Sequence, residues 1–362
     1  MAQQKREAQA EGGAEGGEAE MAAAAVQRLV AKRAKTAAAV KTVAILGGTH
    51  GNELAGPALV HYFQSEPALV ARPTFETQCV LSNLKAIEAN RRYIDTDMNR
   101  CFDFAALSTS EKTPEAERNA EQQRSLELNE LLGPKFSEEP KTDLILDLHN
   151  TTSNTGVLLC LHKEDSFARE LAAYVRQQDS QVCATFWPQD DPPFLPTVSR
   201  SGMTFEVGPL PHSTMRAAVF EHSKKLLLHA LDYVELHNQH AAGGETASSL
   251  ERITVKMPVA ERVAAVDYPR GENNRLTAFI HPDLQGISEL RPGGSISHGS
   301  PIFQTEAGDT VALDVEQYDL PKDEVFFPMF VNEAAYYEKG VAFFLTRVTE
   351  HEVSILAKKQ DA

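Results

Sequence analysis

Two histidines and a glutamate are the first residues of this chain whose types and spacing could hold a metal ion. His50 and Glu53 stand three apart in GGTHGNE (47–53), directly after the apolar run 42–46 (TVAIL). On one helical turn, positions i and i+3 share a face, so both side chains can converge on a single ion. His149 follows a second apolar run, 143–148 (DLILDL), and precedes the polar turn Asn150-Thr-Thr-Ser-Asn154. A histidine at such a strand end lies at the mouth of a sheet, level with the first pair. Two imidazoles and one carboxylate, with a fourth position left for water, make the ligand set of a catalytic zinc site. Asp147, two residues before His149 on the same strand, is placed to orient a ligand histidine; a core aspartate with its own partner is the competing reading.

Two further groups could act beside that ion. Glu206 lies within an apolar strand that runs into Gly208-Pro209. A carboxylate there needs a partner, because an unpaired buried charge is costly. Near an activated water it could serve as general base and then as acid toward a leaving amine; a local arginine is the alternative partner. The segment RRYIDTDMNR (91–100) gathers Arg91, Arg92, Asn99 and Arg100 within an acidic chain. A guanidinium can grip a carboxylate bidentately or stabilise charge developing on a carbonyl oxygen. A merely solvated charge run is the bland alternative.

The elements that would position these groups alternate along the chain. Strands are expected at 42–46, 78–81, 143–148, 157–161, 182–187 and 203–207, with helices over 115–132 and 214–237. Such alternation implies an α/β layer with a mainly parallel sheet. Residues 240–249 (HAAGGETASS) read as a linker, and the short runs 253–255, 276–280 and 341–345 beyond it as a smaller β-rich domain. The expected layout is a tail over 1–41, a catalytic α/β domain over 42–239 and a β-rich domain over 250–357. Within the tail, residues 1–20 have the composition of a disordered segment, and 21–41 that of a basic, Ala-rich, frayed helix. An organelle-targeting segment is the second reading of that helix.

Composition limits the partners. The chain has 362 residues, 42% of them hydrophobic, enough for two domains with sizeable cores. Its 51 acidic against 35 basic side chains give a net charge of -16, which repels nucleic acid and anionic membranes. A small anionic substrate is not excluded, since a few focused arginines suffice to hold it. The cysteines (Cys79, Cys101, Cys160 and Cys183) are far apart and form no CxxC pair, the usage of a reduced, cytoplasmic protein. No apolar run reaches the ~18–20 residues that span a bilayer. A homo-oligomer is compatible with all of this.

The motifs GGTHGNE (47–53), YIDTDMNR (93–100), DLHNTTSN (147–154), FEVGP (205–209) and VNEAAYYEK (331–339) together resemble the aspartoacylase/aminoacylase-3 family of zinc-carboxypeptidase-like amidohydrolases. The likeness is collinear over roughly residues 42–350. It implies an α/β fold whose mixed sheet with flanking helices bears one Zn2+, and a smaller β-rich C-terminal domain that narrows the entrance. By the resemblance, His50, Glu53 and His149 are the zinc ligands, and Glu206 activates the water. Arg92 polarises the scissile carbonyl, Asn99 and Arg100 bind the α-carboxylate, and Tyr336 reaches the substrate from the C-terminal domain. The implied reaction is hydrolysis of N-acyl-L-amino acids, with N-acetyl-L-aspartate as leading substrate. N-acetylated aromatic amino acids or S-conjugated N-acetylcysteines are the alternative. The chain departs from the family in the specificity wall: Arg200 is the nearest substitute for the arginine that grips the aspartate side chain, and the family's GPQPQG reads Gly208-Pro-Leu-Pro-His212-Ser here. A C-terminal peptidase and a non-catalytic zinc-binding protein are the rival readings.

Overall fold

The computed structural model describes residue 17, residues 20–29 and residues 38–359. Most of the expected tail lies outside these residues. Within it, 20–29 is helical, and Ala25 and Leu29 are buried.

The apolar runs do form strands. In chain order these are β1 (Thr42–Gly47), β2 (Glu76–Leu81), β3 (Leu144–Asn150), β4 (Val157–Leu161), β5 (Val182–Phe186) and β6 (Ser201–Val207). Every residue of β3 and β4 is buried, as befits strands covered on both faces. The C-terminal part adds β7 (Leu250–Val266), β8 (Ala278–Ile280), β9 (Ile296–Ser297), β10 (Pro301–Thr305), β11 (Thr310–Ala312), β12 (Val325–Met329) and β13 (Phe343–Lys358). A ten-stranded mixed sheet has the order β2-β1-β3-β6-β4-β5-β7-β13-β12-β9, and β11-β10-β8 form a second small sheet. Strands β1, β2, β3 and β6 are mutually parallel, whereas β4 runs antiparallel to β6.

Helices cover the sheet where apolar side chains recur with helical period. In Ser166–Gln178, Phe167, Ala168, Leu171, Ala172 and Val175 are buried, and the Asp165 carboxylate caps the start by accepting from Ala168 N at 3.0 Å. These side chains join the main core with Ala55–Ser65 and Ala217–Ala242.

Three expectations change. The helix foreseen over 115–132 begins at Ala120, where Asn119 and Gln122 form a capping box that starts a new helix after the turn Glu115–Glu117. The 240–249 stretch is not an extended linker: the long helix runs on to Ala242, Gly243 breaks it at φ 75°, and Gly244–Ser248 is a further short helix. The run 253–255 lies within β7, and of the run 341–345 only 343–345 belongs to β13; these two long strands pair antiparallel from Leu250↔Lys358 to Val266↔Phe343. Met257, Val259, Val353, Ile355 and Leu356 of this pair pack into the main core, while Val266, Phe343 and Leu345 join the core of the C-terminal β-rich part.

Candidate metal centre and cavity

The C-terminal ends of β1, β3 and β6 bring the sequence-derived residues together, at the edge where α/β sites form. Gly47 of β1 pairs with Leu148 of β3, and His149 pairs with Glu206 of β6. Beyond β1 the chain turns through Gly48 at φ 77°, a conformation that glycine adopts without strain. Gly51 is needed for another reason: a Cβ there would stand 2.1 Å from the Ala86 carbonyl carbon. His50 and Glu53 are not on a helix as expected. They flank a turn in which Glu53 N donates to His50 O at 3.2 Å, ahead of the helix Ala55–Ser65. The turn still brings positions i and i+3 together.

All three side chains are buried, and ligand atoms from His50, Glu53 and His149 lie within 4.8 Å of one another. The Nδ1 atoms of His50 and His149 each lie 2.8 Å from one Glu53 oxygen. The opposite ring nitrogens face other carboxylates: His50 Nε2 meets Asp97 at 3.1 Å and His149 Nε2 meets Asp147 at 3.0 Å. Asp147 is itself held by Thr49 Oγ1 at 2.8 Å. Imidazoles oriented from behind by carboxylates, with their other nitrogens converging beside a carboxylate, are the donor arrangement of a metal centre. The residues present fit a cation. Burial alone would raise the Glu53 carboxyl, but His50 and His149 hold it well below the usual carboxylate range. His149 is shifted well upward: burial opposes the shift, and Asp147 and Glu53 outweigh it. Glu206 is pushed up to about 8 by burial, with His149 opposing and Glu53 and Glu333 assisting.

Arg92 donates to Glu53 at 3.1 Å and to Asp97 at 3.3 Å, and its Nε is buried without a hydrogen-bond partner among the described residues. A hollow of about 20 Å3 between Glu53, Arg92, Glu206, Glu333 and Tyr336 has room for one water-sized group. It adjoins a cavity of about 190 Å3 lined by His50, Arg92, Asn99, Arg100, Glu206 and Tyr336, together with Trp187, Phe194, Met329, Phe330 and Arg262. Asn99 accepts from Leu195 N at 3.0 Å, and the Arg100 guanidinium lies 5.6 Å from the Phe194 ring centre. Tyr336 is contributed by the C-terminal part, and burial and the nearby Glu206 and Glu333 carboxylates raise its phenol.

Arg200 is not part of this site. It precedes Ser201 at the start of β6, and its guanidinium pairs with Asp143, beside the start of β3. Six residues separate Asp143 from His149, so Arg200 lies about 20 Å away, at the opposite edge of the sheet. Proximity to Glu206 in sequence misled because the strand carries the intervening residues across the whole sheet.

Several positioning residues were missed. Asp97, inside YIDTDMNR, joins His50, Arg92 and Lys339. Its place two residues before Asn99 was the available signal. Glu333 accepts from Thr151 and from Thr152 N at 2.9 Å, and His212 Nε2 lies 3.3 Å from it. Glu121, fully buried, accepts from Asn83 Nδ2 and from the backbone N–H groups of Ile94, Asp95 and Thr96. It had no signal, since an acidic residue in a helix's first turn reads simply as a partner of the helix dipole.

The fold and site define an α/β protein with a buried candidate metal centre of two histidines and a glutamate under an aromatic cavity. Residues 39–234 match the family model described as Succinylglutamate desuccinylase/Aspartoacylase catalytic domain, and residues 259–348 match the AstE/AspA barrel-sandwich hybrid domain. The chain belongs to this family. It is 38% identical over 310 residues to the N-acyl-aromatic-L-amino acid amidohydrolase (carboxylate-forming) of Rattus norvegicus, covering 83% of this chain and 88% of that protein. It is 36% identical over 314 residues to the aspartoacylase of the same species, covering 85% of this chain and 92% of the relative. The crystal structure of murine aminoacylase 3 superposes with a TM-score of 0.77 at 32% identity, covering 89% of this chain and 99% of that one.

Proposed function

We propose that this protein is a zinc-dependent hydrolase of N-acyl-L-amino acids. The observation that carries the reading is the place of Glu206, a half-buried carboxyl that lines both the hollow and the cavity, is paired in register with His149 of the metal cluster and is pushed up to about 8. A group held in that range can take and return a proton near neutral pH. Binding alone needs no such group.

A zinc ion held by His50, Glu53 and His149 would supply Lewis-acid activation of water and of the acyl carbonyl. Glu206 takes the proton from the attacking water and passes it to the leaving amine. Arg92 shares the negative charge that develops on the carbonyl oxygen. Asn99 and Arg100 hold the α-carboxylate, and Tyr336 packs on the substrate from the C-terminal part. Asp97 and Asp147 keep the two imidazoles aimed.

The relatives named for aspartate and those named for aromatic substrates are about equally similar, so the cavity wall must decide. The resemblance puts N-acetyl-L-aspartate first, but Arg200, the nearest substitute for the arginine that grips the aspartate side chain, pairs with Asp143 instead. Trp187, Phe194, Met329 and Phe330 line the cavity, which favours N-acyl amino acids with large side chains. The test is a panel of N-acetyl amino acids given to the zinc-loaded protein, with and without chelator, and to Glu206→Gln. Chelator-sensitive release of the free amino acid, abolished in the variant, is expected. Absence of release from every substrate, or full activity in Glu206→Gln, overturns the reading.

A further inference from the structure

The catalytic cavity does not end at its aromatic wall. A second hollow of about 390 Å3 adjoins it, and the two share Trp187, Pro188, Gln189 and Arg262. Arg262 therefore stands at the junction. The floor between it and the metal cluster is one face of the sheet. Thr204 of β6 pairs with Cys160 of β4, Cys160 with Thr185 of β5, and Thr185 with Ala260 of β7. Arg262 is two residues beyond Ala260, on the same face. Three strand spacings make this floor about 14 Å wide, more than an aspartate side chain can cross.

Three observations single Arg262 out from an ordinary surface arginine. It forms no ion pair among the described residues, although its neighbour Glu261 approaches His351 at 3.6 Å. Its guanidinium lies 5.1 Å from the Phe344 ring centre, and Phe344 continues through Tyr336 to Phe330 in edge-on contacts of 5.8 and 5.6 Å. Stacking on an aromatic face steadies the group without neutralising it. The long β7–β13 ladder also shifts register just here: Leu345 pairs with Ala264 and Thr346 with Arg262, leaving Val263 as the extra residue. A bulge of this kind re-aims the adjacent side chain. Beyond Arg262 the second hollow carries Lys163 and His162, along with the acidic Asp190 and Glu261.

We propose that Arg262 is the distal anchor of a two-part substrate cavity, and that the preferred substrates are N-acyl amino acids whose long apolar side chain ends in an anionic group. The proposal rests on the deacylase reading above. The α-carboxylate occupies the Arg100 end, the apolar stem lies between Trp187, Phe194 and Phe330, and the terminal anion meets Arg262.

The experiment compares N-acetyl-4-carboxy-L-phenylalanine with N-acetyl-L-phenylalanine in the wild type, Arg262→Met and Arg262→Lys. In the wild type, kcat/KM for the carboxylated substrate exceeds that for the neutral one by about tenfold or more, the range of one charge-assisted hydrogen bond. The ratio collapses toward unity in Arg262→Met, mainly through KM, and is partly restored in Arg262→Lys. A wild type without this preference, or a ratio unchanged in Arg262→Met, overturns the proposal. If no N-acyl amino acid is cleaved at all, the deacylase reading fails. Calorimetric binding of N-acetyl-4-carboxy-L-phenylalanine to wild type and Arg262→Met then decides the role of Arg262: weaker binding by the variant supports the anchor, and equal binding overturns it.

Discussion

Glu121 gives the sharpest test of how the site is held. One of its oxygens accepts from Asn83 Nδ2 at 3.0 Å and Ile94 N at 2.8 Å; the other accepts from Asp95 N at 3.0 Å and Thr96 N at 3.2 Å. These bonds clamp the segment that presents Arg92, Asn99 and Arg100. Glu121→Gln keeps the shape but offers an acceptor at only one of the two positions. Two donors then face an amide NH2, and each unsatisfied buried group costs about 1–3 kcal/mol. The sum, about 2–6 kcal/mol, is a large part of a typical stability of about 5–15 kcal/mol. The urea midpoint should fall by about 1 M, followed through the fluorescence of Trp187, the sole tryptophan. Release of Arg92 by even an ångström should lower kcat/KM by about 100-fold. If Glu121→Gln unfolds at the wild-type midpoint and keeps wild-type kcat/KM, the reasoning is refuted.

Metal removal by chelator should lower Tm by about 5–10 °C, reversed by added zinc; His149→Ala should show no such response, and calorimetric scans decide it. Lys135 is wholly buried and donates to the carbonyls of Phe102 and Pro192 at 2.7 Å while pairing with Asp191. Lys135→Met strands the Asp191 carboxylate and should cost about 3–5 kcal/mol in urea unfolding; a stability equal to wild type would contradict that. Burial would depress the His212 imidazole, but Glu333 holds its pKa above the ordinary 6.5. A raised pKa stabilises fully below that value and loses its effect as pH rises through the folded one. His212→Gln should therefore lower Tm at about pH 6 and make little difference at about pH 9; a constant difference across that range would exclude the pairing.

The strands that carry the ligands were readable because β1 and β3 are mostly apolar runs ending at glycines or polar residues at one sheet edge. The trio followed from the three-residue spacing of His50 and Glu53 and the strand-end position of His149. Asp147 was readable too, since alternate residues of a strand share a face and so meet the same neighbour. Arg200 was misread because the six positions from Arg200 to Glu206 are enough to cross the sheet, and nothing local says which edge a residue reaches. Glu121 and Lys135 bond to backbone atoms far away in sequence, so their side-chain types carried no trace of their partners. Arg262 lies on a strand twice as long as any run the hydropathy delimits, and its orientation depends on a bulge that only the pairing with β13 reveals.

The position of β13 has a consequence for how the protein is made. Among the described strands it follows the other twelve in the chain, yet it sits inside the ten-stranded sheet, between β7 and β12. Until it arrives, β7 has an open hydrogen-bonding edge, and the core lacks Val353, Ile355 and Leu356. An unpaired edge of that length invites pairing with another chain. The nascent protein is therefore most vulnerable to aggregation before β13 is made, when the catalytic residues have already been synthesised but the sheet beneath the cavity is still unfinished.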